Sequence, residues 1–235
     1  MKAVIGGTGI DRDERFSGNS VTVETEYGSV ECSIIDGIVY LPRHSAAHAV
    51  PPHLINYRAN IEALSLLSVD RVISIYAVGS ITKRITPASF GLVRDFIDLT
   101  YGRKNTFFDK GGDFRLTPMV QPFDRETAKA FLAVCLSHEY SISYDSVYVT
   151  TNGPRLETAA EIAAYRRMGA DIVGMTLGTE AVLLAEKGIK NAAVAYSINW
   201  AAGLDDEGVS FLEDESIARL SARILSLSEE TLALF

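Results

Sequence analysis

From residue 146 onward the chain alternates short β-branched runs with helical periods, and this alternation admits few architectures. Residues 146–150 read as a strand, and 158–168 as a helix stopped by Gly169. A strand over 171–175 follows, then a helix over 179–187 with Thr179 as its N-cap and Gly188 just beyond. Residues 192–198 form another strand. The last helix carries Ile217, Leu220, Ile224, Leu227, Thr231 and Leu234 on one stripe, so one face is buried. Strands that alternate with helices in this way predict an α/β fold with a mixed central sheet.

The first half is richer in strands. Runs at 3–5, 21–24, 30–35 and 38–41 are β-rich, and Asp36-Gly37 between the last two is a hairpin signal. A helical pattern covers 53–67. Strands follow at 71–77, ending near Gly79-Ser80, and at 90–97. Residues 98–118 form a long polar loop, which in a compact domain is usually functional. Asp124 caps a helix running to about residue 139. No repeat, low-complexity tract or linker interrupts the 235 residues, so one domain spanning 1–235 is expected.

Composition narrows the function classes. Hydrophobic residues make up 47%, enough for a substantial core. Thirty acidic against 22 basic residues give a net charge of −8, a poor match to non-specific nucleic-acid binding. Cys32 and Cys135 show no metal-ligand spacing, so neither a zinc site nor a disulfide framework is expected. The N-terminus is too short and glycine-rich for a signal peptide, and no apolar run reaches membrane-spanning length. The plain expectation is a soluble cytoplasmic protein.

Chemistry-bearing residues gather at strand ends, where open α/β sheets place their ligands. Gly153-Pro154-Arg155-Leu156-Glu157, Gly174-Met175-Thr176 and Ile198-Asn199-Trp200-Ala201 offer a carboxylate, a hydroxyl and a carboxamide. Upstream, Gly6-Gly7-Thr8-Gly9 follows a strand and can bring N–H groups and a hydroxyl to an anion. Arg43-His44 supplies a cationic fork and a second donor. Each cluster also has a plain structural reading. The glycines fit a turn, Arg43-His44 a solvated pair, Thr176 a helix cap, Asn199 a turn or cap, and Glu157 an acid at a helix N-terminus.

Taken together, Gly6-Gly7-Thr8-Gly9, Arg43-His44, residues 56–61 (Asn-Tyr-Arg-Ala-Asn-Ile), Gly153-Pro154-Arg155, Met168-Gly169-Ala170-Asp171 and Gly174-Met175-Thr176 resemble the methylthioadenosine phosphorylase branch of the trimeric purine nucleoside phosphorylases. The resemblance runs from the first strand to about Ala202. It implies a partly barrel-like mixed sheet, a homotrimer, and reversible phosphorolysis of a nucleoside to free base and ribose 1-phosphate. It implies no metal or organic cofactor, with inorganic phosphate as co-substrate.

By the same resemblance, Thr8, Arg43, His44, Ala77 and Thr176 bind phosphate, and Met175 lies under the ribose. Leu156, Trp200, Ala201 and Phe211 join Glu157 and Asn199 around the nucleoside. Adenosine-type members carry Asp-x-Asp where this chain has Asn199-Trp200-Ala201, a departure that resembles the 6-oxopurine branch. Asn199 then stabilises charge building on the leaving base, and Glu157 accepts the N1–H of a keto-purine. Adenine has a bare lone pair at N1, and a site built for a hydrogen bond rejects the analogue lacking it by about 10⁴–10⁵.

The segment 209–212 (Val-Ser-Phe-Leu) is mostly apolar, which favours a 5′-methylthio group and hence S-methyl-5′-thioinosine. An inosine/guanosine phosphorylase is the runner-up. A methylthioadenosine phosphorylase, a hydrolase using water, and a non-catalytic nucleoside binder rank lower. Two departures bear on the sugar contacts: Leu116 stands where a family member has histidine, and Tyr76 where others have a small hydroxyl residue. His48 follows the phosphate loop, but a solvated histidine is its better reading, and His53 is left open.

Overall fold

A computed structural model describes residues 1–45, 50–110, 114–205 and 208–235. His48, and Gly111 and Gly112 of the long loop, lie outside the described residues.

Among the described residues nine strands form one sheet. They are β1 (Lys2–Gly6), β2 (Ser20–Thr25), β3 (Gly28–Ile35), β4 (Ile38–Pro42), β5 (Arg71–Ser80), β6 (Phe90–Asp98), β7 (Ser143–Thr150), β8 (Ile172–Gly174) and β9 (Lys190–Trp200). The spatial order is β2-β3-β4-β1-β5-β8-β7-β6-β9, and β9 also pairs back onto β5. That extra pairing closes β5, β8, β7, β6 and β9 into a barrel, with the first four strands as an extension from β5. The sheet is mixed: β5 runs parallel to β1 and β9 and antiparallel to β8. The β3–β4 hairpin turns at Asp36-Gly37, both with positive φ, as a tight two-residue connection requires.

Among the described residues five α-helices flank the sheet: α1 (Tyr57–Leu66), α2 (Arg125–Ser137), α3 (Ala159–Arg167), α4 (Leu177–Glu186) and α5 (Asp214–Leu232). On one side α2 and α5 pack Phe131, Val134, Ile224 and Leu227 against Ile73, Ile75 and Val194 of the sheet. On the other, α1 and α4 pack Ile61, Leu64, Leu183 and Leu184 against Ala3, Ile5 and Val72. Cys32 and Cys135 are buried free thiols, and burial pushes the Cys135 thiol up to about 12. The fold agrees with the expected α/β class.

Several boundaries differ from the sequence expectation, those of three helices most instructively. α1 begins at Tyr57 rather than near His53, because Asn56 accepts from the Ala59 amide while residues 52–54 form a separate 3-10 turn. α4 begins two residues before Thr179, with Thr176 at the N-cap. Its first turn is anchored instead by the Gly178 amide donating to Thr150 Oγ1 at 3.0 Å. α5 ends at Leu232, so Leu234, expected on the buried stripe, is 63% exposed.

Candidate active site

The C-terminal ends of β5, β8 and β9, the Gly7–Gly9 turn after β1 and the turn after β4 converge on one cavity of about 280 Å³. Of the residues singled out from sequence, Thr8, Arg43, His44, Ala77, Leu156, Glu157, Met175, Thr176, Asn199, Ala201 and Phe211 all line it. Trp200 is not among the lining residues. Asn199, near the end of β9, and Ala201, just beyond it, line the cavity. Trp200 contributes its main chain: its carbonyl accepts from Asn199 Nδ2 at 2.8 Å.

At one end of the cavity lies Arg43, only 2% exposed. Its Nε donates to Glu180 Oε2 at 2.7 Å and its Nη2 to Glu180 Oε1 at 2.9 Å. Nη1 donates to the Ile75 carbonyl at 2.9 Å. Burial by itself would discourage the guanidinium charge, but the adjacent Glu180 carboxylate more than offsets this and holds the group protonated. Three of five N–H donors are thus committed, leaving one hydrogen on each terminal nitrogen. Gly7 is needed beside it, since a Cβ there would fall 2.7 Å from Arg43 Nη1.

His44 is also buried and donates from Nδ1 to the Val50 carbonyl at 2.8 Å. A carbonyl only accepts, so that contact fixes the proton on Nδ1. Thr176 occupies the α4 N-cap but makes no side-chain cap bond, so its hydroxyl is not consumed by the helix. The cap reading of Thr176 is therefore correct in position and incomplete in chemistry. Thr8 is exposed, and its carbonyl accepts from the Tyr196 hydroxyl, which pins the glycine turn to β9. Arg43, His44, Thr8, Thr176 and the first turn of α4 make this end suited to an anion.

At the other end stand Asn199 and Glu157. Asn199 is 6% exposed, and with one amide hydrogen held by Trp200 it keeps the second hydrogen and its oxygen for a ligand. Glu157 is half-buried, and its Oε1 accepts from Thr151 Oγ1 at 2.6 Å. The acid reading at a helix N-terminus belongs to Glu161 instead. That residue completes a capping box with Thr158, and the Arg155 guanidinium and the Thr158 amide lower its carboxyl to about 2. Glu157, one position before the cap, is released from that duty. Gly153 admits Met175 to the cavity wall: it has φ +62°, and a Cβ there would lie 2.5 Å from Met175 Sδ. Leu156 and Phe211 form a rim, 45% and 54% exposed.

Two residues escaped the sequence reading, and the place of a third was missed. Glu180 left a signal, a carboxylate within the otherwise apolar face of α4 formed by Leu177, Ala181 and Leu184. Thr151 left none. Tyr76, noted only as a departure, points away from the cavity into the Arg43–Glu180 pair. Among the described residues no cluster of three metal-ligating side chains occurs, and no helix is long and apolar enough to cross a membrane.

Comparison with known proteins now adds the lineage. The family model described as "Phosphorylase superfamily" matches residues 2–233. A probable S-methyl-5′-thioinosine phosphorylase from Thermodesulfovibrio yellowstonii is 38% identical over 208 residues, covering 86% of this chain and 78% of the relative. The 6-oxopurine nucleoside phosphorylase of Pyrococcus furiosus is 37% identical, covering 90% and 83%. A methylthioadenosine phosphorylase from Schistosoma mansoni, solved with tubercidin, superposes with a TM-score of 0.88 at 27% identity, covering 99% of this chain and 90% of that one.

The chain belongs to the phosphorylase superfamily. It is an enzyme, grouped by these relatives with the purine nucleoside phosphorylases, which are pentosyltransferases.

Proposed function

We propose that the protein phosphorolyses 6-oxopurine nucleosides, with S-methyl-5′-thioinosine as the preferred substrate. Hypoxanthine and 5-methylthioribose 1-phosphate are the products. The observation that carries this reading is the base end of the cavity. A carboxamide stands at 199 and a methyl group at 201, while the Glu157 carboxylate faces the same space with one oxygen held by Thr151. That donor set complements a keto-purine, whose N1–H donates and whose O6 and N7 accept.

The chemistry follows from placement. A phosphate oxygen attacks C1′ of the sugar as the C1′–N9 bond breaks. The electron pair of that bond passes to the purine, which takes up a proton on release. Phosphate is held at the anion end by Arg43, His44, Thr8, Thr176 and the backbone at Ala77. Its attack is thereby an oriented, effectively unimolecular event. Asn199 donates to the purine where negative charge accumulates, and Glu157 fixes the ring by its N1–H. No other group is required for this sequence, so the enzyme works without a metal or organic cofactor.

For the 5′ substituent, Val209 and Phe211 line the cavity whereas Ser210 does not. This apolar rim favours a methylthio group over a hydroxyl and is the reason to rank methylthioinosine above inosine. The reading includes a homotrimer. The loop after β6 exposes Phe114 (72%), Leu116 (85%) and Val120 (91%), apolar surface that a neighbouring copy would cover. The decisive assay compares kcat/KM for methylthioinosine, inosine and methylthioadenosine, each with and without phosphate. Phosphate-dependent turnover in that order is expected. Faster turnover of methylthioadenosine, or turnover without phosphate, would refute the proposal.

A further inference from the structure

Beneath the anion end lies a buried cluster whose members do not all reach the cavity. Tyr76 is 1% exposed and Glu180 1%, and neither lines the cavity wall. The Tyr76 hydroxyl donates to Glu180 Oε1 at 2.6 Å. Its ring lies under the Arg43 guanidinium, 4.4 Å from centroid to Cζ. Glu180 in turn grips Arg43 through Nε and Nη2.

We propose that Tyr76 and Glu180 are positioning residues for phosphate, acting only through Arg43. The proposal rests on the reading of Arg43 as a phosphate ligand. An arginine has a long, rotamer-rich side chain, and ordering it on binding would subtract from affinity. Here the ordering is complete before any ligand arrives. Glu180 fixes the plane of the guanidinium, the Ile75 carbonyl fixes its far edge, and the Tyr76 ring closes one face. What remains for a ligand is one hydrogen on each terminal nitrogen.

Tyr76 sets the carboxylate itself. Oε1 accepts from both Tyr76 and Arg43, whereas Oε2 accepts from Arg43. Without the phenol, the one side chain among the described residues that holds Glu180 is the group it is meant to hold. Burial and the neighbouring carboxylate keep the phenol protonated, so it remains a donor across the working pH range. Glu180 also cancels the formal charge of Arg43. The anion therefore meets a neutral pair with oriented N–H groups, and orientation decides its affinity.

The test uses inorganic phosphate as the probe. Calorimetric Kd for phosphate, Kd for hypoxanthine and thermal midpoints are measured on the full chain and on Tyr76→Phe and Glu180→Asp. Phosphate KM and nucleoside KM are measured in parallel. Tyr76→Phe keeps the ring under Arg43 and removes one hydrogen bond. We expect the phosphate Kd to rise about three- to tenfold, in line with the net value of one ordinary hydrogen bond felt at one remove. Hypoxanthine Kd and nucleoside KM should change by less than about twofold on the same scale. Glu180→Asp retains the charge but withdraws the carboxylate by one methylene, and its phosphate Kd should rise at least as far.

Unchanged phosphate Kd in both folded variants, with only the thermal midpoint lowered, would overturn the proposal. So would a parallel weakening of phosphate and hypoxanthine, or a wild-type chain that binds no phosphate. If the wild type binds phosphate but turns over no 6-oxopurine nucleoside, and the phosphate Kd still rises in the variants, this inference stands while the proposed substrate class falls.

Discussion

The two ends of the cavity are built on opposite principles. The anion end is buried and over-determined: Arg43 has two partners, Glu180 has two, and His44 is pinned by the Val50 carbonyl. The base end is lightly tethered: among the described residues Asn199 and Glu157 each make one side-chain hydrogen bond, and the rim of Leu156 and Phe211 stands about half exposed. The contrast follows from what each end handles. A small dianion presents only charge and acceptors, so affinity requires donors fixed in advance. A nucleoside brings a large apolar surface of its own, so its end can stay open and be closed by the ligand or by a neighbouring chain.

If this contrast is right, substitutions at the two ends separate by substrate. The largest effect is expected from Arg43→Lys. It keeps the charge and abandons the fork, so phosphate KM should rise on the order of a hundredfold, while hypoxanthine Kd moves little. A uniform loss across both ligands would erase the distinction between the ends. Next comes Asn199→Asp, which gives the base end a group able to accept from a 6-amino purine. The ratio of kcat/KM for methylthioinosine over methylthioadenosine should fall about tenfold or more, with phosphate KM unchanged. The smallest is Thr151→Val, which frees Glu157 Oε1. Nucleoside KM should rise about threefold, the value of one hydrogen bond at a half-exposed site; no change would show that Thr151 does not orient Glu157.

Much of this was legible in the chain. The strands and helices follow from periodicity, and the hairpin from Asp36-Gly37. The cavity-lining set came through because strand ends and glycine turns mark where side chains and N–H groups face a ligand. What stayed hidden depends on packing between distant segments. Glu180 meets Arg43 across 137 positions and Tyr76 meets Glu180 across 104, so no local pattern links them. Thr151 is only six positions from Glu157, yet their contact depends on the turn at Gly153, which a residue string does not display. Trp200 shows the converse: a motif taken as a block groups it with Asn199 and Ala201, yet of the three only Asn199 and Ala201 line the cavity.

The interlocked arginine and glutamate also bear on how such a protein can change over generations. Removing either partner strands the other as an unpaired buried charge, at a cost of about 3–5 kcal/mol, a large share of an ordinary domain's stability. A lineage that no longer needed an anion here could discard Thr8 or Thr176 freely, but would have to exchange Arg43 and Glu180 together. Their persistence in a descendant would testify first to a solvent-free interior that tolerates no half-measures. The two threonine hydroxyls would be the more sensitive record of whether the ancestral reaction is still under selection.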